Sequence, residues 1–211
     1  VGAINSSLAN FSIENNYRND IIAGVDEVGR GAWAGPVVAG AVIITQTALL
    51  NEIIDSKATT YQQREPLSRE ILKHHHCGIG VATVEEINLL GLNPAIFLAM
   101  ERALSSLSLR PTLALVDGNY KLTLPVKSLS IIKGDQKSIS IAAASIIAKA
   151  HRDALMKTLA THHPQYLWHS NVGYGTAAHI EKIKEHGISK HHRKNFRPIK
   201  SIIAKNPHVK T

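Results

Sequence analysis

The residues best suited to chemistry in this chain are acids that close apolar runs. Ile21–Gly31 reads I-I-A-G-V-D-E-V-G-R-G, so a largely β-branched run ends on Asp26 and Glu27 and then turns through Gly29, Arg30 and Gly31. Asp117 closes the run L-A-L-V-D and precedes Gly118-Asn119. Asp135 follows the run Val126–Ile132 by way of Lys133-Gly134. A carboxylate at the end of a buried strand is costly to desolvate unless it is paired or binds a cation. Grouped carboxylates raise one another's pKa unless a cation intervenes, and a cluster of hard oxygen ligands suits Mg²⁺ or Mn²⁺. Each acid also has a plainer reading when taken alone. Asp26-Glu27 could sit at a solvated hairpin end, Asp117 in an Asp-Gly-Asn turn, and Asp135 as a cap near Ser138. Their joint occurrence at strand ends in a basic chain is better explained by a metal site.

Placing such acids together requires a particular set of elements. Ile21–Asp26 and about Val37–Ile44 read as strands joined by a glycine-rich link, hence an antiparallel hairpin. Gly78–Val84, Thr112–Asp117 and Val126–Ile132 read as three further strands. Helical patterns cover Leu49–Ile54 and Arg64–His74, and another follows Asn93 and Pro94 to about Ser106. The strand Thr112–Asp117 is reached through that last helix, which favours a parallel partner. If that partner is the first strand, Asp26 and Asp117 lie side by side. Successive strand residues face opposite sides, so Asp26 and Glu27 converge only if the strand ends there. A long helix with a small-residue face is expected from Ser138 to about Thr161, stopped before Pro164. A last one is expected from a Thr176 cap to His186, with Gly187 beyond its end.

The chain has 211 residues, enough for one sizeable domain. A net charge of +8 and a pI near 9.6 favour a polyanionic partner such as nucleic acid. Cys77 is the only cysteine, which excludes an intrachain disulfide framework and a cysteine zinc site and fits a reducing, cytoplasmic setting. No secretory signal or membrane span is expected. The consecutive His74, His75 and His76 diverge on either a helix or a strand, so they are expected at the surface.

Several ordered blocks resemble the bacterial ribonuclease HII family. The first is Asp26-Glu27-Val28-Gly29-Arg30-Gly31 with Ala34-Gly35-Pro36-Val37-Val38. The middle ones are Asp55-Ser56-Lys57, Val116-Asp117-Gly118-Asn119 and Lys133-Gly134-Asp135. Ser138–Lys149 with Arg152-Asp153 follows. Gly173-Tyr174-Gly175-Thr176 with His179, and then His192-Arg193 with Phe196, complete the set. The likeness runs from about Ile21 to Pro198. It departs from the family at Ala32-Trp33, where Pro-Leu is usual, and at Ala58-Thr59-Thr60, where Lys-Leu-Ser is usual.

The resemblance implies an α/β, RNase H-like fold: a mixed five-stranded sheet flanked by helices, with a C-terminal helical extension. Residues 1–19 would form a loose lead-in, 20–162 the catalytic domain, and 163–211 a basic helical extension packed on that domain. It implies an endonuclease that cuts the RNA strand of RNA–DNA hybrids and cuts 5′ to single ribonucleotides in duplex DNA. The family's metal-binding and catalytic acids fall on Asp26, Glu27, Asp117 and Asp135, with two Mg²⁺ or Mn²⁺ ions during catalysis. Its 2′-hydroxyl-reading loop falls on Gly29, Arg30 and Gly31, and its junction-sensing tyrosine on Tyr174. Lys57 is a candidate phosphate contact. Arg193, Lys194 and Arg197 either touch duplex phosphates or form a solvated basic tail. No obligate protein partner is implied.

Two rivals compete with this reading. Ribonuclease HIII resembles the chain in its acidic blocks, but it usually carries an extra N-terminal domain and lacks the arginine found here as Arg30. A catalytically silent nucleic-acid-binding module would use the basic surface alone and has no need of acids at strand ends.

Overall fold

The structure, a computed structural model, describes residues 9–46, 61–121 and 123–205, with the side chains of 61–63 left aside. The helix expected over Leu49–Ile54 and the loop carrying Lys57 lie outside the described residues.

The strands are β1 (Ile22–Val28), β2 (Val37–Ile43), β3 (His76–Ala82), β4 (Leu113–Asp117) and β5 (Lys127–Ile131). They form one sheet in the order β3-β2-β1-β4-β5. The pairs β1–β2 and β2–β3 are antiparallel, while β1–β4 and β4–β5 are parallel. This is the expected mixed sheet flanked by helices. The helices are α1 (Tyr61–His74), α2 (Val84–Leu90), α3 (Leu92–Ser105), α4 (Ile139–His162), α5 (Trp168–Asn171), α6 (Ala177–His186) and α7 (Arg197–Lys205). Among the described residues no helix is long and apolar enough to cross a membrane.

Small residues bring the two main helices close to the sheet. A Cβ on Gly24 of β1 would lie 2.0 Å from the carbonyl carbon of Ser140, so α4 packs backbone to backbone on β1. On the opposite face, a Cβ on Gly80 of β3 would lie 2.0 Å from the Ala99 carbonyl oxygen of α3. Each face then closes over its own core. Val25, Val37, Ala41, Ile96, Met100 and Val116 pack on the α3 side, and Val42, Ile71, Ile139, Ala143 and Ile147 on the α4 side. Burial of these side chains at about 25 cal/mol per Å² of apolar surface is the main force holding the layers together.

Three local expectations are corrected. β3 ends at Ala82 because Thr83 and Glu86 form a capping box that starts α2, which removes Val84 from the strand. The lead-in is tied down over its described part. Ala9 is buried, Asn10 bonds both ways with the chain at Lys137 and Ile139, and buried Glu14 accepts from the hydroxyls of Ser138 and Ser140. Its carboxylate thus meets the positive N-terminal end of α4. His75 is buried rather than exposed, because the chain turns there from α1 into β3 and carries the ring inward.

Candidate active site

The acids collect at the carboxyl ends of the parallel strands. β1 and β4 pair as far as Val25↔Val116, so Asp26 and Asp117 are the next residues on neighbouring strands. Asp117 is the last residue of β4. Beyond β5, Lys133 takes a left-handed conformation (φ 56°) and leads into a single 3₁₀ turn, Gly134–Gln136, that carries Asp135. That turn is fastened to β4, since the Gly134 amide donates to Asp117 Oδ1 at 2.6 Å. Alternation along β1 puts Asp26 on the α4 side with Gly24, and Leu113 and Leu115 place Asp117 on the same side.

Glu27 behaves differently. β1 continues through Val28, so Glu27 leaves the strand from the opposite face. Tyr120 donates its hydroxyl hydrogen to Glu27 Oε1 at 2.7 Å, and Arg30 Nη1 donates to the same Tyr120 oxygen. Among the described residues no three His, Cys, Asp or Glu side chains stand close enough to hold an ion. Glu27 and Asp135 nevertheless line one cleft of about 230 Å³, together with Arg64, Ser145 and Lys149.

The electrostatics are those of crowded anions. Burial lifts the Asp26 carboxyl well above the usual range. The hydroxyl of Ser145 and the Glu27 amide, which donates to Asp26 Oδ1 at 2.7 Å, oppose this, while the charges of Glu27 and Asp117 add to it. Burial also raises Glu27, against the Tyr120 hydrogen bond, and Asp117 raises it further. Asp117 is raised by burial and by the neighbouring Asp135, against the Gly134 amide. Glu27 Oε2 is buried with no hydrogen-bond partner. A buried carboxylate oxygen left without a donor, among acids that repel one another, is the chemistry a hard divalent cation satisfies.

Beside the acids, the Gly29–Pro36 loop is gripped from behind by two fully buried arginines. Arg152 of α4 donates to the carbonyls of Pro36, Ala34 and Val172. Arg193 donates to the carbonyls of Arg30, Gly35 and Pro36. Buried Arg193 is therefore neither a phosphate contact nor part of a solvated basic tail, the two readings the sequence left open, but an internal clamp. Its pKa is pushed down to about 9 by burial and by the charge of Arg152. Lys194 and Arg197 are exposed.

The same loop meets the Gly173–Gly175 turn. The amides of Trp33 and Ala34 both donate to the Gly173 carbonyl, at 2.8 and 3.1 Å. A Cβ on Gly31 would have the Tyr174 ring edge as its neighbour at 3.9 Å, and the Arg152 guanidinium lies 5.4 Å from that ring's centre. Arg30, Gly31 and Tyr174 are thus brought into one surface next to Glu27, while Gly29 is buried against Arg152 and the Pro36 carbonyl. The departure at Ala32-Trp33 falls here: Ala32 is buried, and the Trp33 indole occupies the space a side chain at Gly175 would need. Sequence reasoning missed Tyr120 and Ser145 as partners of the acids, and Arg152 as a clamp. None carries a local pattern, although Ser145 and Arg152 do stand in a block the resemblance had picked out.

The ribonuclease HII family model matches residues 23–199. The ribonuclease HII of Wolbachia pipientis subsp. Culex pipiens (strain wPip) is 50% identical over 193 residues, 91% of this chain and 98% of that protein. That of Anaplasma phagocytophilum (strain HZ) is 48% identical over 202 residues, covering 93% and 96%. Among solved structures, the ribonuclease H2 from Pyrococcus horikoshii OT3 matches with a TM-score of 0.76 at 26% identity, over 89% of this chain and 99% of that one. Bst-RNase HIII in complex with Mn²⁺ matches in fold with a TM-score of 0.66 at 20% identity, over 88% of this chain and 70% of that one.

Proposed function

The chain belongs to the ribonuclease HII family and is a nuclease of the ribonuclease H type, and from that premise we propose what it cuts and how. Its substrates are the RNA strand of RNA–DNA hybrids and duplex DNA with a single embedded ribonucleotide, which it cuts on the 5′ side. The observation that carries this reading is the juxtaposition of the strand-end acids with the Gly29-Arg30-Gly31 loop and the Tyr174 ring.

Asp26, Glu27, Asp117 and Asp135 are the residues that would hold Mg²⁺ or Mn²⁺. Two such ions, when bound, supply an activated water and neutralise charge on the leaving 3′-oxygen, which gives 5′-phosphate and 3′-hydroxyl ends. The chain's own residues do the recognition. Only the 2′-hydroxyl distinguishes RNA from DNA at one nucleotide, and Gly31, exposed and with the Tyr174 ring edge as its one near neighbour at 3.9 Å, lets the loop backbone approach a sugar closely. Arg152 and Arg193 hold the carbonyls of Arg30, Ala34, Gly35, Pro36 and Val172 inward, and the amides of Ala32 to Gly35 bond within the fold, so the backbone that presents Arg30 and Gly31 to substrate is fixed in place. Tyr174 packs on the neighbouring deoxyribose, a place that a second 2′-hydroxyl would crowd. Exposed Lys194 and Arg197 add phosphate contacts without sequence preference. Lys57 keeps its proposed phosphate role, and no obligate protein partner is invoked.

The test is a labelled duplex containing one ribonucleotide, incubated with Mg²⁺, with Mn²⁺ or with chelator, and its ends mapped. Metal-dependent cleavage 5′ to the ribonucleotide is expected. Cleavage in chelator, cleavage on the 3′ side, or binding without cleavage in either metal refutes the reading.

A further inference from the structure

Behind Tyr174 lies a buried pair of histidines that the acid site does not use. His179 of α6 and His192 are both fully buried, and their Nε2 atoms stand 3.2 Å apart. They are packed by Trp33, Tyr166 and Trp168, while His163 and His191, which face His192 from the same cluster, lie farther out near Lys190. No acid is bonded to either ring among the interactions described for them.

The donors around the pair leave one proton arrangement. The Ser189 backbone amide donates to His192 Nδ1 at 2.9 Å, and an amide can only donate, so Nδ1 carries no hydrogen. Neutral His192 therefore carries its hydrogen on Nε2, which points at His179 Nε2. The Trp168 indole N–H, also donor-only, reaches the same His179 Nε2 at 3.1 Å. His179 Nε2 must accept, so its hydrogen is on Nδ1. That atom lies 2.9 Å from the Tyr174 carbonyl oxygen, which can only accept. The chain of bonds runs from Ser189 to His192, to His179, to Tyr174, with the N–H groups of Trp168 and His192 sharing the single lone pair of His179 Nε2. Adding a proton to His179 would set a third N–H against those of Trp168 and His192.

We propose that His179, held by His192 and Trp168 in the Nδ1–H tautomer, is a positioning residue for Tyr174. It fixes the carbonyl of the Gly173-Tyr174-Gly175 turn, and with it the direction of the ring, beside Gly31. The turn is tied at Gly173 by the amides of Trp33 and Ala34 and at the Tyr174 amide by the Asn171 carbonyl; His179 supplies the side-chain anchor at the Tyr174 carbonyl, which also accepts from the Thr176 amide. Burial pushes the His192 pKa down to about 3 and lowers that of His179, which keeps both rings neutral across the working range.

The proposal rests on the junction-sensing reading of Tyr174, and the experiment separates the two. In the full chain, ¹⁵N NMR of the imidazoles should show His179 as Nδ1–H and His192 as Nε2–H, both unchanged from about pH 6 to 8. Cleavage of a single-ribonucleotide duplex is then compared with cleavage of a uniform hybrid, as a ratio that cancels any loss of folded protein. Tyr174→Ala should lower that ratio about tenfold. His179→Ala should lower it roughly fivefold, about the worth of one hydrogen bond. His179→Asn, whose amide nitrogen can stand where Nδ1 stood, should recover most of the loss. A lowered ratio in Tyr174→Ala with an unchanged ratio in His179→Ala overturns the positioning role alone. An unchanged ratio in Tyr174→Ala removes the reading beneath it and the proposal as well. An Nε2–H tautomer at His179, or equal losses for the Ala and Asn variants, also overturns it.

Discussion

Replacing Asp26 by Asn should destroy cleavage and, in metal-free buffer, stabilise the fold. Asp26 and Asp117 are the first residues past the paired register of neighbouring strands, so they stand about one strand spacing apart, ~5 Å. Two unit charges at that distance interact by roughly 3 kcal/mol at an effective dielectric constant of ~20. Asp117 is partly exposed, so solvent screening reduces the figure to about 1–2 kcal/mol. The side-chain amide in the Asp26→Asn variant would keep an oxygen to accept the Glu27 N–H, so little else is lost. The sign with pH follows from linkage. Folded Asp26 has a raised pKa, hence the native state holds more protons than the unfolded one between the two values. Wild-type stability therefore falls as pH climbs through that window, and the penalty is fully present above the folded value. The gain from Asp26→Asn should be largest near neutral pH and should shrink toward about pH 4 as the acids protonate. Urea unfolding with chelator at both pH values measures this. Adding Mg²⁺ should then raise the wild-type midpoint and leave that of the variant almost unmoved. A variant that is less stable in chelator near neutral pH, or a gain that does not depend on pH, would show that Asp26 is a structural acid and not part of a cation site.

Two further outcomes follow from the partners of the site. Arg193→Lys should cost about 2–3 kcal/mol in urea unfolding, because a point ammonium cannot reproduce the fork that reaches Arg30, Gly35 and Pro36. The salt slope of substrate binding should stay the same in that variant, and a flatter slope would return Arg193 to the phosphate contacts. Tyr120→Phe should keep the ring's edge contact with Phe97 but lose the bond to Glu27, so kcat/KM should fall about threefold to tenfold at unchanged stability; an unchanged kcat/KM would show that Glu27 needs no such partner.

The features legible in the sequence were those with a local period or a local stop. Apolar runs ending in Asp or Glu marked β1 and β4, and the glycine link marked the hairpin between β1 and β2. The Ser138 and Thr176 caps were readable because a short hydroxyl side chain satisfies an orphan amide within its own turn. That β4 has a parallel partner followed from the helical crossover, while the identity of that partner as β1 entered only as a condition and is supplied by the structure. Less was readable where a strand's length decided the facing of a side chain. One extra residue, Val28, is enough to send Asp26 and Glu27 to opposite sides, and no propensity argument resolves a boundary that finely.

The support of the substrate loop was hidden for a different reason. Arg152 and Arg193 are paired with carbonyl oxygens of residues 30–36 and 172, and every residue has a carbonyl whatever its side chain. A carboxylate partner can be looked for in a sequence, while a carbonyl partner cannot. The count of basic residues misleads for the same reason. Of the +8 formal charge, these two guanidiniums are spent internally and never meet a phosphate. What they provide is rigidity, because a buried cation left without its acceptors costs several kcal/mol and so holds the carbonyls in place. The loop proposed to read the 2′-hydroxyl is thus anchored at its carbonyl side by Arg193 and Arg152. Tyr174, across from it, is anchored at its carbonyl by His179. Under the proposed reading, discrimination at the sugar depends on residues that never touch it, and those are where further specificity variants should be sought.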